Sequence, residues 1–303
     1  MAFSTKTAVK LHYILSHSTQ RLDKQGLEQD HDQQVNFREP QRNLTICTPR
    51  HYVLIHGLFF GNLAAWYPLF TQSLSQQGEV LCYDLRGHGL SEAPLKGYRL
   101  EDHLNDLLDL LDEQGWSKHS ICFIGHSFGA RLALAALKAR ELISRTRHNQ
   151  VNSEDHILLI DPPLLMANRE DQEFFEKLKN TNIHELKAHL PHSLTLLLTK
   201  EGRRLRKMLK RWSYLLQETQ FLEELEDLGD IDQQDVNLIN RYGCVLFGSD
   251  SGCFRAYPFL KETLDAERIQ IIEGGGHFLL NQSPQLVLKF IEESSSILNQ
   301  QKG

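Results

Sequence analysis

Ile121-Cys122-Phe123-Ile124-Gly125-His126-Ser127-Phe128-Gly129-Ala130-Arg131-Leu132-Ala133 passes from an apolar strand to a helix in a few residues. The first four residues are apolar on both faces, as a buried parallel strand requires. Helical spacing begins at Ala130. Between them stands Gly-x-Ser-x-Gly. So sharp a reversal puts Ser127 in a strained backbone conformation, and glycines on either side let backbone pass where a Cβ would clash. It lifts Ser127 Oγ to the top of a sheet, over a helix N-terminus that favours developing negative charge. Five residues match by chance in many chains, so the partners of such a serine must be found elsewhere.

Two segments supply them. His56-Gly57-Leu58-Phe59 closes an earlier apolar run. An oxyanion hole needs two backbone N–H donors aimed at one point. Phe128, next after the serine, provides one, and Leu58 is the expected second. His56 itself reads as structural. Gly274-Gly275-Gly276-His277-Phe278 follows the last apolar run, and three glycines can carry an imidazole back across a sheet. Among 15 histidines, His277 alone has this setting and lies downstream in the order serine, acid, histidine. It is the expected general base for Ser127.

Outward from these motifs the chain alternates. Short apolar runs at 52–55, 80–83, 121–124, 157–160, 245–247 and 269–272 are separated by stretches with helical spacing, such as 100–114 and 131–143. Alternating β and α elements predict a parallel α/β sheet. Two early strands are expected at 8–15 and 43–48, joined by a polar connection over 17–42. The interval from 164 to 240 is too long and too charged for one crossover. Leu205, Met208, Leu209, Trp212 and Leu215 fall on one helical face within it. It is expected to be a helical cap inserted in a core domain of residues 1–163 and 241–303. Lys200, Arg203, Arg204, Arg206, Lys207, Lys210 and Arg211 crowd the same stretch. They read as the solvated face of that helix, with an anion or membrane surface as the sharper alternative.

Taken together, 52–57, Asp84-Leu85-Arg86-Gly87-His88-Gly89-Leu90-Ser91, 125–129 and Gly276-His277 resemble the α/β-hydrolase superfamily. The resemblance covers 52–129 and 243–297 well and the cap poorly. It implies an α/β-hydrolase fold with an eight-stranded, mostly parallel sheet flanked by helices, and a Ser-His-acid triad. It also implies a structural role for the Asp84–Ser91 loop.

The acid has two candidates. Most relatives carry it three residues after a glycine, in the loop after the strand that follows the cap. Here that place holds Ser251, and Asp250 falls one residue early. Asp161 follows the strand at 157–160 and precedes Pro162-Pro163, which stiffen it. A minority of the superfamily takes the acid from that strand, and the Asp-Pro-Pro segment resembles N-formylmaleamate deformylase-like hydrolases. Asp161 is the expected acid, with Asp250 as the alternative.

The expected activity is hydrolysis of a small carboxylic ester, thioester or amide through an acyl-Ser127 intermediate. A carbon–carbon bond hydrolase, a lyase, a cofactor-free oxygenase or a binding protein of the same fold is the alternative. Epoxide hydrolases and dehalogenases would need an aspartate at 127. A net charge of −6 argues against a nucleic-acid partner. The five cysteines are scattered, and no Cys/His/Asp cluster has metal spacing, so neither cofactor nor metal is expected. With no secretory signal and no apolar run of about 18 residues, the expected setting is cytoplasmic, with no transmembrane segment.

Overall fold

A computed structural model describes residues 2–4, 6–17, 51–58, 61–67, 69–146, 155–165, 202–225 and 228–300. The polar connection beyond residue 17, the strand expected at 43–48 and the first part of the expected cap lie outside them. The strands are β1 (Ala2–Phe3), β2 (His12–Ser16), β3 (His51–Ile55), β4 (Glu79–Tyr83), β5 (Ile121–His126), β6 (His156–Ile160), β7 (Gly243–Gly248) and β8 (Ile269–Ile272). The helices are α1 (Leu69–Ser75), α2 (Leu100–Glu113), α3 (Phe128–Thr146), α4 (Gly202–Glu218), α5 (Phe221–Leu225), α6 (Gln233–Tyr242), α7 (Tyr257–Thr263), α8 (Leu279–Gln282) and α9 (Pro284–Gln300).

Among the described residues the strands form one eight-stranded sheet, ordered β1-β2-β4-β3-β5-β6-β7-β8. β2 pairs antiparallel with β1 and with β4, and every other pair is parallel. The expected α/β-hydrolase fold is the observed one. The first long strand starts at His12 rather than residue 8. Residues 6–9 are bends, in which the Thr7 hydroxyl bonds the Val9 carbonyl and Ser4 Oγ; such local bonds compete with a ladder.

The central strands explain why their sequences are apolar throughout. Val53, Ile55, Phe123, Ile157, Leu159 and Phe247 face one core, shared with Leu107 of α2, Ala133 of α3 and Ile239 of α6. Their neighbours Leu54, Cys122, Ile124, Leu158 and Ile160 face the other, with Phe70 of α1 and Val287 and Phe290 of α9. Alternate residues feed opposite cores, so both faces exclude water and no polar alternation survives. The chain steps outward from β3 to β4, then returns to the other side of β3 with β5. Such a reversal opens a crevice at the carboxyl ends of those two strands. Leu58 and Ser127 follow them directly.

α4 and α5 rest on the loop after β4. Trp212, Leu215 and Phe221 are buried there. Arg211 donates from Nε to the Gly87 carbonyl at 2.9 Å and from Nη2 to the Ser91 carbonyl. Glu224 accepts from the backbone N–H groups of Gly97 at 2.8 Å and Tyr98 at 2.6 Å. Lys207 and Lys210 are exposed, as a solvated face requires, but Arg211 is not part of that face. Two core carbonyls hold it because a guanidinium has several donors to satisfy once half-buried. α6 crosses the domain boundary expected at 240, and its Val236 and Ile239 are buried in the same core as α3.

A buried ion pair ties α3 to the sheet. Arg140 donates to both oxygens of Asp155, at 2.6 and 3.2 Å, and Asp155 accepts from the Ile121 N–H at 2.9 Å. Both side chains are nearly solvent-free. Asp155→Ala would leave the guanidinium buried without its counter-charge. The expected loss is about 3–5 kcal/mol of unfolding free energy, read from the urea midpoint.

Candidate active site

The turn after β5 is built as tightly as its sequence requires. Ser127 adopts φ 55°, in the left-handed region that non-glycine residues avoid. A Cβ on Gly125 would lie 2.2 Å from the Gly129 carbonyl oxygen, and one on Gly129 would lie 2.3 Å from the Ile55 carbonyl oxygen. No other residue fits at either position, because Gly125 lies against the first turn of α3 and that turn lies against β3. The Ser127 N–H donates to the Ile160 carbonyl at 2.9 Å, so the strained residue is held by the neighbouring strand.

Asp161 repeats the arrangement one strand further on. It follows β6, adopts φ 45°, is fully buried, and donates its N–H to the Leu246 carbonyl of β7 at 2.7 Å. Its Oδ1 accepts from the Gly248 N–H at 3.1 Å. Its Oδ2 lies 2.5 Å from His277 Nδ1 and also pairs with Ser251 Oγ. On the other side of the ring, His277 Nε2 lies 2.9 Å from Ser127 Oγ. Serine, histidine and Asp161 therefore form one hydrogen-bonded chain.

Asp250 is not in it. It is an exposed turn residue that accepts from Ser249 Oγ at 3.2 Å. The β7 loop contributes Ser251 instead, from the place where most relatives carry their acid. Phe128 is the first residue of α3, so its N–H lies in the first turn, where helical N–H groups have no intrahelical acceptor. Leu58 is half-buried in the turn after β3.

Two histidines frame this loop system without entering the chain. His56 Nδ1 donates to the Gly57 carbonyl at 2.7 Å and Nε2 accepts from the Leu85 N–H at 3.0 Å, which fixes a neutral ring. His126 Nε2 donates to the His277 backbone carbonyl at 2.7 Å and so holds the histidine loop from below. Sequence reasoning singled out neither His126 nor Ser251 as part of the site. His126 lies inside the Gly-x-Ser-x-Gly motif, and Ser251 occupies the usual acid position, so both had a signal. The Asp84 loop is structural: Asp84 accepts from the Leu63 and Leu90 N–H groups at 2.8 and 3.0 Å, and Arg86 grips Asp106 with two bonds of 2.7 Å.

The model of the alpha/beta hydrolase family matches residues 52–290, and the chain belongs to that family. A stretch of 92 residues is 34% identical to the 2-(acetamidomethylene)succinate hydrolase of Mesorhizobium japonicum, covering 30% of this chain and 32% of that one. Over 98 residues it is 33% identical to epoxide hydrolase 4 of Homo sapiens, covering 31% of this chain and 25% of that one. The matches thus span a third or less of these relatives. The enol-lactonase of Burkholderia xenovorans shares the fold, with a TM-score of 0.64 over 96% of this chain and 98% of its own at 19% identity. The family match and the eight-stranded sheet together define an α/β-hydrolase fold. No helix among the described residues is long and apolar enough to cross a membrane.

Burial lowers the pKa of four solvent-free histidines near the sheet top: His56 and His103, His88 to about 3, and His126 to about 4, the last also through His277. Each folds neutral, whereas the unfolded chain takes up protons below about pH 6.5. Their stabilising contribution is therefore complete above that pH and is lost on acidification. Urea midpoints are expected to fall steadily from about pH 6.5 to about pH 4. Midpoints that hold or rise across that window would contradict it.

Proposed function

We propose that the protein is a serine hydrolase acting on a small carboxylic ester, thioester or amide through an acyl-Ser127 intermediate. The hydrogen-bonded chain Ser127–His277–Asp161, with its 2.9 and 2.5 Å links, carries this reading. His277 Nε2 takes the Ser127 proton as Oγ attacks the acyl carbon. Asp161 keeps the other ring nitrogen protonated and stabilises the imidazolium. Its own charge is fixed by Gly248 N–H and Ser251, so the ring meets an oriented acceptor.

The oxyanion is assigned to the backbone N–H groups of Phe128 and Leu58, worth roughly 3–4 kcal/mol per donor at sites of this kind. His277 then returns its proton to the leaving group. Water, deprotonated by the same nitrogen, attacks the acyl-enzyme, releasing the acid and restoring Ser127. A serine at 127 favours acyl chemistry over epoxide opening, which needs a carboxylate nucleophile there. Residues 164–240, which include α4 and α5, are assigned to a cap over the crevice, inserted between core segments 1–163 and 241–303; α6 joins the two and packs on α3. The four cysteines among the described residues are free, which suits a reducing compartment, and we place the enzyme in the cytoplasm.

The test is intact mass after treatment with a fluorophosphonate. One stoichiometric adduct is expected on wild type and none on Ser127→Ala. Asp161→Asn should slow labelling by about 10⁴-fold, because the amide favours the wrong tautomer of His277. Asp250→Asn should label like wild type. Absence of an adduct on folded wild type would move the protein to the non-hydrolytic members of its fold.

A further inference from the structure

Cys253 lies in the 3-10 turn after β7 (Gly252–Ala256), beside this chain of groups. Its Sγ is 3.7 Å from His277 Nδ1, and the ligand atoms of Asp161, Cys253 and His277 all lie within 4.8 Å of one another. We propose that this corner is an inhibitory site for a thiophilic divalent cation such as zinc or cadmium, bound by Cys253 Sγ, His277 Nδ1 and Asp161 Oδ2. The site is separate from the face on which Ser127 would meet substrate, since it uses the opposite ring nitrogen. Sequence spacing could not reveal it, because the three ligands come from three different loops.

One edge of the cluster already has the length a tetrahedral zinc centre needs. Bonds of about 2.3 Å to sulfur and 2.05 Å to nitrogen place those two ligands about 3.6 Å apart, and they stand at 3.7 Å. Nitrogen and carboxylate oxygen should stand about 3.3 Å apart on the same centre, against 2.5 Å here. The imidazole therefore has to move outward by about 0.8 Å. Asp161 is fixed by Gly248 and Ser251, but His277 follows a glycine loop and is a third exposed. The fourth position is left to water.

The proton balance makes binding and inhibition one event. The Cys253 thiol loses its proton to solvent. The His277 proton leaves Nδ1 to make room for the metal, and one is regained at Nε2, so the net release is a single proton. With Nε2 protonated, the ring can no longer accept from Ser127. Burial and the nearby Asp161 carboxylate push the thiol pKa well up, with Arg255 acting in the other direction. His126, the other titratable ring against His277, is buried and neutral.

The inhibitory effect rests on the proposed role of His277; the binding site itself does not. Two readouts on the full chain separate them: fluorophosphonate labelling rate, and the ultraviolet cadmium–thiolate absorption measured as wild type minus Cys253→Ala. Cadmium is expected to slow wild-type labelling at least tenfold, reversibly on chelation, with the absorption appearing at one equivalent. Labelling of Cys253→Ala, referred to its own metal-free rate, should not respond. An equal response in Cys253→Ala, or no difference absorption at millimolar cadmium, overturns the proposal. Absorption with no labelling of metal-free wild type would overturn the serine hydrolase reading and leave the metal site standing.

Discussion

Two non-glycine residues in left-handed backbone hold the site together, and neither could persist alone. A residue in that region costs about 1–3 kcal/mol, so the surroundings must over-determine it. Here the sheet does so. Ser127 at the end of β5 donates its N–H to the last carbonyl of β6, and Asp161 at the end of β6 donates to β7. Each strained residue is thereby an extension of the ladder into the next strand. The sheet order puts these ends side by side, and the loop after β8 returns His277 between them.

This explains what was legible in the sequence and what was not. The runs at 52–55, 121–124 and 157–160 announced a sheet buried on both faces, and β3, β5 and β6 confirm it at those positions. Ser127 and His277 were legible because glycines beside them encode local backbone demands. The carboxylate that meets His277 was harder. Asp161 and Asp250 are both carboxylates just past a strand, and nothing local in either segment records which one the histidine loop will reach. The distinction is tertiary: β6 and β7 lie side by side, so Asp161 and Ser251 converge on one point while Asp250 turns to solvent. Arg211 was misread for a similar reason, since its acceptors lie over a hundred residues away and helical periodicity carries no record of them.

The polar groups around the triad are kept neutral or paired. His56 has both ring nitrogens committed to backbone, His126 spends one on the His277 carbonyl, and burial holds both uncharged near neutral pH. A positive charge on His126 would compete for Asp161 with the imidazolium that catalysis would form. The neutral setting leaves that carboxylate facing a single developing cation.

One further side chain has a consequence for how this architecture can change. Arg131, one turn past Ser127, donates to the carbonyls of Pro163 and Leu164 at 3.4 and 3.2 Å and to that of Gly229 at 2.7 Å. The Ile231 N–H closes onto the Leu164 carbonyl at 3.1 Å, and Arg255 holds the Leu165 carbonyl from the far side. Departure and return of the chain are thus tied together at one guanidinium beneath the Ser127 turn. An insert whose two ends share an anchor adds no strain when its length or sequence drifts. The ends of the interval are thus fixed independently of what lies between them, and the first is tied down three residues after Asp161.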